Sequence, residues 1–171
     1  MLVRFVFGLI CLVSSVIVIA QSSEMLDTPD VSHFRGDVAH RGVYASPALR
    51  EQPVLRWQFE SPRPSRTTPV VAHGRAFIGN EAGHLYAIDV QTGDEIWRYT
   101  AEDPFVSTGT VLDGVLYIGS LDHAVYAFDV QTGDLLWQYD TGKGVYSSPA
   151  VVDGVVYIGS LDQSVYALSA A

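Results

Sequence analysis

Histidine, cysteine, carboxylate and hydroxyl side chains are the groups that build a catalytic or metal centre, and here they are dispersed. The five histidines stand at 33, 40, 73, 84 and 123, and no pair has metal-ligand spacing. His84 and His123 fall at the same end of two like segments, one residue out of register, as solvent-facing loop histidines do. Asp89 with Thr92 and Asp129 with Thr132 suggest a metal loop, but one carboxylate per loop is too few for calcium. Turn chemistry accounts for them better. The aspartates accept bonds from turn amides, the threonines cap the turn, and Gly93 and Gly133 supply its left-handed residue. Thr67-Thr68-Pro69 and Ser147-Ser148-Pro149 invite a hydroxyl-lined channel mouth, with strand entry as the default reading. No Ser/His/Asp order stands out for nucleophilic catalysis.

These residues belong to a unit that is written more than once. Ala87-Ile88-Asp89-Val90-Gln91-Thr92-Gly93-Asp94-Glu95-Ile96-Trp97 returns 40 residues later as Ala127-Phe128-Asp129-Val130-Gln131-Thr132-Gly133-Asp134-Leu135-Leu136-Trp137. Trp57, Trp97 and Trp137 keep the same interval, and so do Tyr86, Tyr126 and Tyr166, which read as packing residues. A period of about 40 with strand-like patterning points to propeller blades. Each period holds four strand candidates, in the second copy at roughly 107–112, 115–120, 124–129 and 135–139. Asp113-Gly114, Asp153-Gly154 and, more weakly, His73-Gly74 sit between alternating apolar runs and predict two-residue hairpins, in which both positions need positive φ. The third copy stops at Tyr166-Ala167-Leu168-Ser169-Ala170-Ala171, without the Thr-Gly turn and the tryptophan strand. Before the first copy, Val54-Leu55-Arg56-Trp57-Gln58-Phe59 reads as an extra outermost strand, with Leu55, Trp57 and Phe59 on one face.

The N-terminal 53 residues have another character. Arg4 precedes an apolar-to-small run from Phe5 to Ala20, which fits a secretory signal peptide cut after Ala20. The alternative is an uncleaved membrane anchor, since the run is close to the shortest spanning length. Cys11, the only cysteine, follows the bulky Ile10 and does not make a lipid-attachment site. Its removal leaves a chain without disulfide, thiolate nucleophile or sulfur ligand. Residues 21–53 read as a tether and an extended arm pinned by Phe34 and Tyr44. The formal charge of −9 becomes −10 on loss of Arg4. Residues 35–75 carry seven arginines, while residues 76–171 set 13 carboxylates against Arg98 and Lys143. An acidic body of this kind argues against nucleic acid and against anionic membrane surfaces. The basic stretch either docks on acidic strands or serves solubility.

The pattern A-x-D-x-x-T-G-x-x-x-W, preceded by V-Y-x-G-S-x-D-x-x-V-Y, resembles the repeat of the quinoprotein-type, or PQQ-binding-like, β-propeller proteins, over residues 55–171. That family includes the outer-membrane assembly lipoprotein of the barrel-assembly machine. The resemblance implies that Trp57, Trp97 and Trp137 dock between blades, with Ala87 and Ala127 among the docking positions. In the enzyme branch it implies a pyrroloquinoline quinone over calcium, a vicinal disulfide and a tryptophan floor. Here there is no cysteine pair, one asparagine (Asn80), and three tryptophans that all fit the docking position.

The reading is therefore all-β. It expects an open partial propeller of about three four-stranded antiparallel blades, near 67–100, 107–140 and 147–169, with the strand at 54–59 completing the last. Three blades are too few for an ordinary ring, so apolar ends are left for a protein partner or self-association. A second account takes the chain as a relic or fragment of a larger propeller. The functional expectation is a non-catalytic, exported scaffold module, periplasmic or secreted, with no cofactor and no membrane insertion after signal removal. The alternative is a fragment of a PQQ-dependent dehydrogenase without its catalytic blades.

Overall fold

The computed structural model describes residues 52–170. The expected signal peptide and nearly all of the arm, with Cys11, His33 and His40, lie outside the described residues.

Left-handed turn pairs set the strands. His73 (φ 51°) with Gly74, Asp113 (φ 50°) with Gly114, and Asp153 (φ 50°) with Gly154 all have positive φ. That backbone twist matches the twist of the flanking strands, so each pair closes a tight hairpin. Around them form three antiparallel sheets. The first blade runs β1 (Val70–Ala72), β2 (Arg75–Gly79), β3 (His84–Asp89) and β4 (Glu95–Thr100). The second runs β5 (Thr110–Leu112), β6 (Val115–Gly119), β7 (Ala124–Asp129) and β8 (Leu135–Asp140). The third has β9 (Ala150–Val152), β10 (Val155–Gly159) and β11 (Val165–Ser169). Strand order follows the chain within each sheet, so every blade is a meander. The repeat extends to register: Ala87 faces Trp97 and Ala127 faces Trp137, with a bulge after each alanine.

The blades stack face to face, and their innermost strands approach one another, β1 with β5 and β5 with β9. Alternation puts one set of side chains on the face toward the preceding blade and the other on the face toward the next, here called the back. Phe77, Leu85 and Ala87 on the back of blade one pack with Leu116, Ile118 and Phe128 on the front of blade two. Tyr117 and Ala127 on the back of blade two pack with Val151 and Val156 of blade three.

The structure corrects the reading of residues 54–59. They form no regular strand, and among the described residues blade three has three strands, β9 to β11. The segment lies at the opposite end of the arc, where Trp57 and Phe59 cover Ala76, Tyr86 and Ile88 of blade one. The physical reason is that alternating apolar residues specify a packing face but not a hydrogen-bonding neighbour. Without a sheet beside it, a strand-like segment has no ladder to join.

Candidate functional site

The joint between blades is the most elaborately built feature, and its parts are the residues singled out in the sequence. Asp89 Oδ1 accepts from the amides of Gln91 at 2.7 Å and Thr92 at 3.0 Å, and Thr92 Oγ1 accepts from the amide of Asp94. Asp129 repeats this with Gln131 at 2.7 Å and Thr132 at 2.9 Å. The amides of Thr92 and Gln91 hold the Asp89 carboxyl below its ordinary range, and those of Thr132 and Gln131 do the same for Asp129. The carboxylates are thus turn caps, each satisfied by its own backbone.

The cap presents a backbone carbonyl and a bare glycine to the indole that arrives from the neighbouring unit. Trp57 Nε1 donates to the Val90 carbonyl at 2.9 Å, Trp97 Nε1 to Val130 at 3.1 Å and Trp137 Nε1 to Ala170 at 3.4 Å. A Cβ on Gly93 would stand 2.8 Å from Trp57 Cγ, and one on Gly133 2.7 Å from Trp97 Cδ2. These glycines therefore answer two demands, a φ of about +80° and a close indole. Only the first was legible in the sequence. Ala87 and Ala127, both fully buried, face the tryptophan of their own blade across the ladder and keep room for it.

The hydroxyls at strand entry are staples. Thr67, Ser107 and Ser147 each bond both the amide and the carbonyl of the glycine ending the second strand of their blade, Gly79, Gly119 and Gly159. One residue on, Thr108 Oγ1 accepts from the Thr68 amide and Ser148 Oγ from the Thr108 amide, each at 3.2 Å, linking adjacent blades. The tyrosines do more than pack. Tyr126 and Tyr166 donate to Asp122 and Asp162, both at 2.6 Å. The Tyr166 hydroxyl is the largest of the influences that pull the Asp162 carboxyl down to about 2. Burial and the Asp122 partner push the Tyr126 hydroxyl up. The Val-Tyr preceded four residues earlier by aspartate was the signal for these pairs. In the first copy Asn80 takes over, fully buried, with Oδ1 accepting from the amides of Ala82 and His84.

The histidines do not converge. His84 Nδ1 meets Thr100 Oγ1 at 3.1 Å, His73 occupies a hairpin turn, and His123 is the left-handed turn residue whose carbonyl takes both the amide and the hydroxyl of Thr141. Among the described residues, no three His, Cys, Asp or Glu side chains could hold a metal ion together. A shallow polar cleft of about 570 Å³ lies beside Glu102, Asp122, His123 and Asp140. A quinone stacked on a tryptophan floor does not fit the residues present, because two indoles are committed to joints between blades and Trp57 to the contact of its segment with blade one.

The back of blade three is the second candidate. Tyr157, Val165 and Ala167 repeat Tyr117, Val125 and Ala127 of blade two, yet Val165 is 79% exposed where Val125 is fully buried. Gly119 is pressed by Val145 of the following loop, 2.3 Å from where a Cβ would stand, whereas Gly159 meets nothing closer than Ser147 at 3.5 Å. No helix among the described residues is long and apolar enough to cross a membrane.

Several known proteins share this architecture. The structure of the outer membrane protein assembly factor BamB from Moraxella catarrhalis superposes with a TM-score of 0.62 at 22% identity, covering 67% of this chain and 36% of that one. Quinohemoprotein alcohol dehydrogenase from Comamonas testosteroni gives 0.70 at 25% identity, covering 84% and 26%. A europium-containing methanol dehydrogenase gives 0.65 at 18% identity, covering 83% and 28%. The chain thus spans about a third of these proteins or less. Compared directly with curated protein sequences, it matches none. The family model described as outer membrane protein assembly factor BamB matches residues 51–171. With the tryptophan joints, the capped Asp-x-x-Thr-Gly turns and the three meander blades all present, the chain belongs to that family of PQQ-like β-propeller repeat proteins.

Proposed function

We propose that this chain is a non-catalytic β-propeller repeat module of the cell envelope that binds a protein partner through its open blade end. The observation that carries the reading is the division of labour among its conspicuous residues. Every tryptophan, both Asp-x-x-Thr-Gly turns and the strand-entry hydroxyls are engaged in holding blades, or the segment before them, in place. A repeat of the same apolar side chains is left uncovered at one end. An uncovered apolar face rimmed by polar residues is the mark of a protein interface. The apolar run at the N-terminus and the match to an outer membrane assembly factor support a periplasmic setting.

A second reading has one observation in its favour, the 0.70 TM-score against a quinohemoprotein alcohol dehydrogenase. On that account the chain is part of a quinone-dependent dehydrogenase without its catalytic blades. Titration with pyrroloquinoline quinone and calcium, followed by tryptophan fluorescence and dye-coupled alcohol oxidation, separates the two. The non-catalytic reading expects neither quenching nor reduction. Saturable binding, or turnover above the quinone alone, overturns it.

A further inference from the structure

Each tryptophan contact is accompanied by a second aromatic contact, two residues further along the same segment. Phe59 meets Tyr86 with ring centroids 5.1 Å apart, Tyr99 meets Tyr126 at 5.5 Å, and Tyr139 meets Tyr166 at 5.6 Å, with planes 64°, 57° and 61° apart. The last two are phenol pairs, and they differ from the first in a further way. Tyr126 and Tyr166 each donate to a carboxylate four residues back, Asp122 and Asp162, at 2.6 Å. Tyr86 has Ala82 at that position, and its hydroxyl meets only the Asn80 amide, at 3.5 Å. The carboxylate is thus present where the facing ring is a phenol and absent where it is a phenylalanine. Packing alone does not require that, because Phe59 and Tyr86 pack in similar geometry without it. The hydroxyl ends of one pair are neighbours as well. The Tyr126 proton is held on by burial first, then by Asp122 and last by the Tyr99 hydroxyl.

We propose that Tyr99–Tyr126 and Tyr139–Tyr166 are oxidative coupling sites, at which a one-electron oxidant joins the two rings carbon to carbon and turns a contact between blades into a covalent seam. Each phenol gives one electron to the oxidant. A phenol that has lost an electron is a far stronger acid than a carboxylic acid. Tyr126 and Tyr166 therefore pass the hydroxyl proton along the short bond to Asp122 and Asp162, while Tyr99 and Tyr139 release theirs to solvent. The two phenoxyl radicals bond through ring carbons next to their hydroxyls. Each of those carbons then sheds its hydrogen as a proton and each oxygen regains one, which restores both phenols. One link thus removes two electrons and two protons, and two equivalents of oxidant take the electrons. The oxidant is of the peroxidase class, a high-valent haem or a small radical that it generates. Tyr139 is 43% exposed and starts the reaction at its joint. Tyr99 is half-buried, lines the polar cleft and serves the buried Tyr126. Each link closes a loop of chain across a joint, and such closure stabilises by constraining the unfolded chain. The described residues hold no cysteine that could do the same.

The test oxidises the full chain with tris(bipyridine)ruthenium and persulfate under brief light, at low protein concentration, and maps the peptides. The expected product is a single chain with dityrosine fluorescence and a mass lower by two hydrogens per link. Its peptides are joined first through Tyr139 and Tyr166, then through Tyr99 and Tyr126, and its urea midpoint is raised. Tyr139→Phe copies Phe59 of the first contact, so it stays folded and loses the first link. Asp162→Asn lowers the yield of that link severalfold and leaves the Tyr99–Tyr126 link unchanged. Tyr146 and Tyr157 are 58% and 43% exposed but meet no second phenol among the described residues, and they stay unlinked. Absence of a link within the chain overturns the inference, as does coupling chiefly through Tyr146 or Tyr157. An equal yield at Tyr139 and Tyr166 from the urea-unfolded chain overturns it too. An unchanged yield in Asp162→Asn overturns the part given to the carboxylate. Neither a quinone nor a protein partner enters any of these outcomes, so this inference and the non-catalytic reading fail separately.

Discussion

The backs of blade two and blade three are one surface in two environments. Tyr117 and Tyr157, Val125 and Val165, Ala127 and Ala167 have the same side chains on strands of the same register. Tyr117 is 3% exposed and Tyr157 is 43% exposed. The difference comes from what stands behind the face. It teaches that each unit of this repeat is only half a core, and that its stability is a property of joints rather than of blades.

The comparison can be broken at its most buried point. Val125→Asp places a carboxylate in the joint between blades two and three without a partner, at a cost of about 4 kcal/mol or more. That approaches the whole stability of a domain. Val165→Asp, the same change one repeat later, should shift the single chain by no more than about 0.5 kcal/mol. Urea denaturation at low protein concentration checks both. If both positions prove equally sensitive, the two faces are not alike in the way described.

Gly133 and Gly114 sharpen the account of the joint. Both have φ of +79°, but a Cβ on Gly133 meets the Trp97 indole while one on Gly114 meets nothing within 4 Å. Gly114→Ala should cost about 1–2 kcal/mol for the left-handed backbone alone. Gly133→Ala adds about 1–3 kcal/mol of overpacking. Equal losses in thermal unfolding would mean that the indole contact is dispensable. A smaller contrast separates the tryptophans. Trp97→Phe leaves the Val130 carbonyl without its donor and part of the indole's space empty, for about 1 kcal/mol or more. Trp57→Phe should cost less, because its segment lacks a sheet and can lift away as a whole.

The smallest expected effect is acidic. Folding holds the Asp162 carboxyl at about 2, below its ordinary value of 3.8, chiefly through the Tyr166 hydroxyl. A carboxyl depressed in the folded state stabilises above its unfolded pKa and loses that contribution as pH falls toward the folded one. The melting temperature should therefore decline between about pH 4 and 2, and Asp162→Asn should flatten part of that decline. Asp89 and Asp129 act with the same sign through the turn amides. Asp162 is only half-buried, so salt should reduce its share.

Much of this was legible in the residues. The positive-φ hairpins followed from Asp-Gly between alternating runs, and the caps from Asp-x-x-Thr-Gly, because local chemistry leaves few alternatives for either. The Asp122–Tyr126 and Asp162–Tyr166 bonds were not read, since a recurring tyrosine looks the same whether it packs or donates. The hydroxyls lie at strand entry as read, but their bonds were not foreseen, because a Ser or Thr at a strand entry does not say which backbone it will bond. Residues 54–59 show the deeper limit. Their pattern is that of β8, but pattern fixes which side chains share a face, and pairing requires a neighbour that lies elsewhere in space.

What the sequence determined alone is the unit: four short runs, the turns between them, and an indole aimed at the next copy. These are set by interactions within a few residues, which repeat whenever the residues do. The tertiary structure decided which copies have neighbours, and so which of several identical side chains are core and which are surface. Burial is a relation between units, and no unit's own residues contain it.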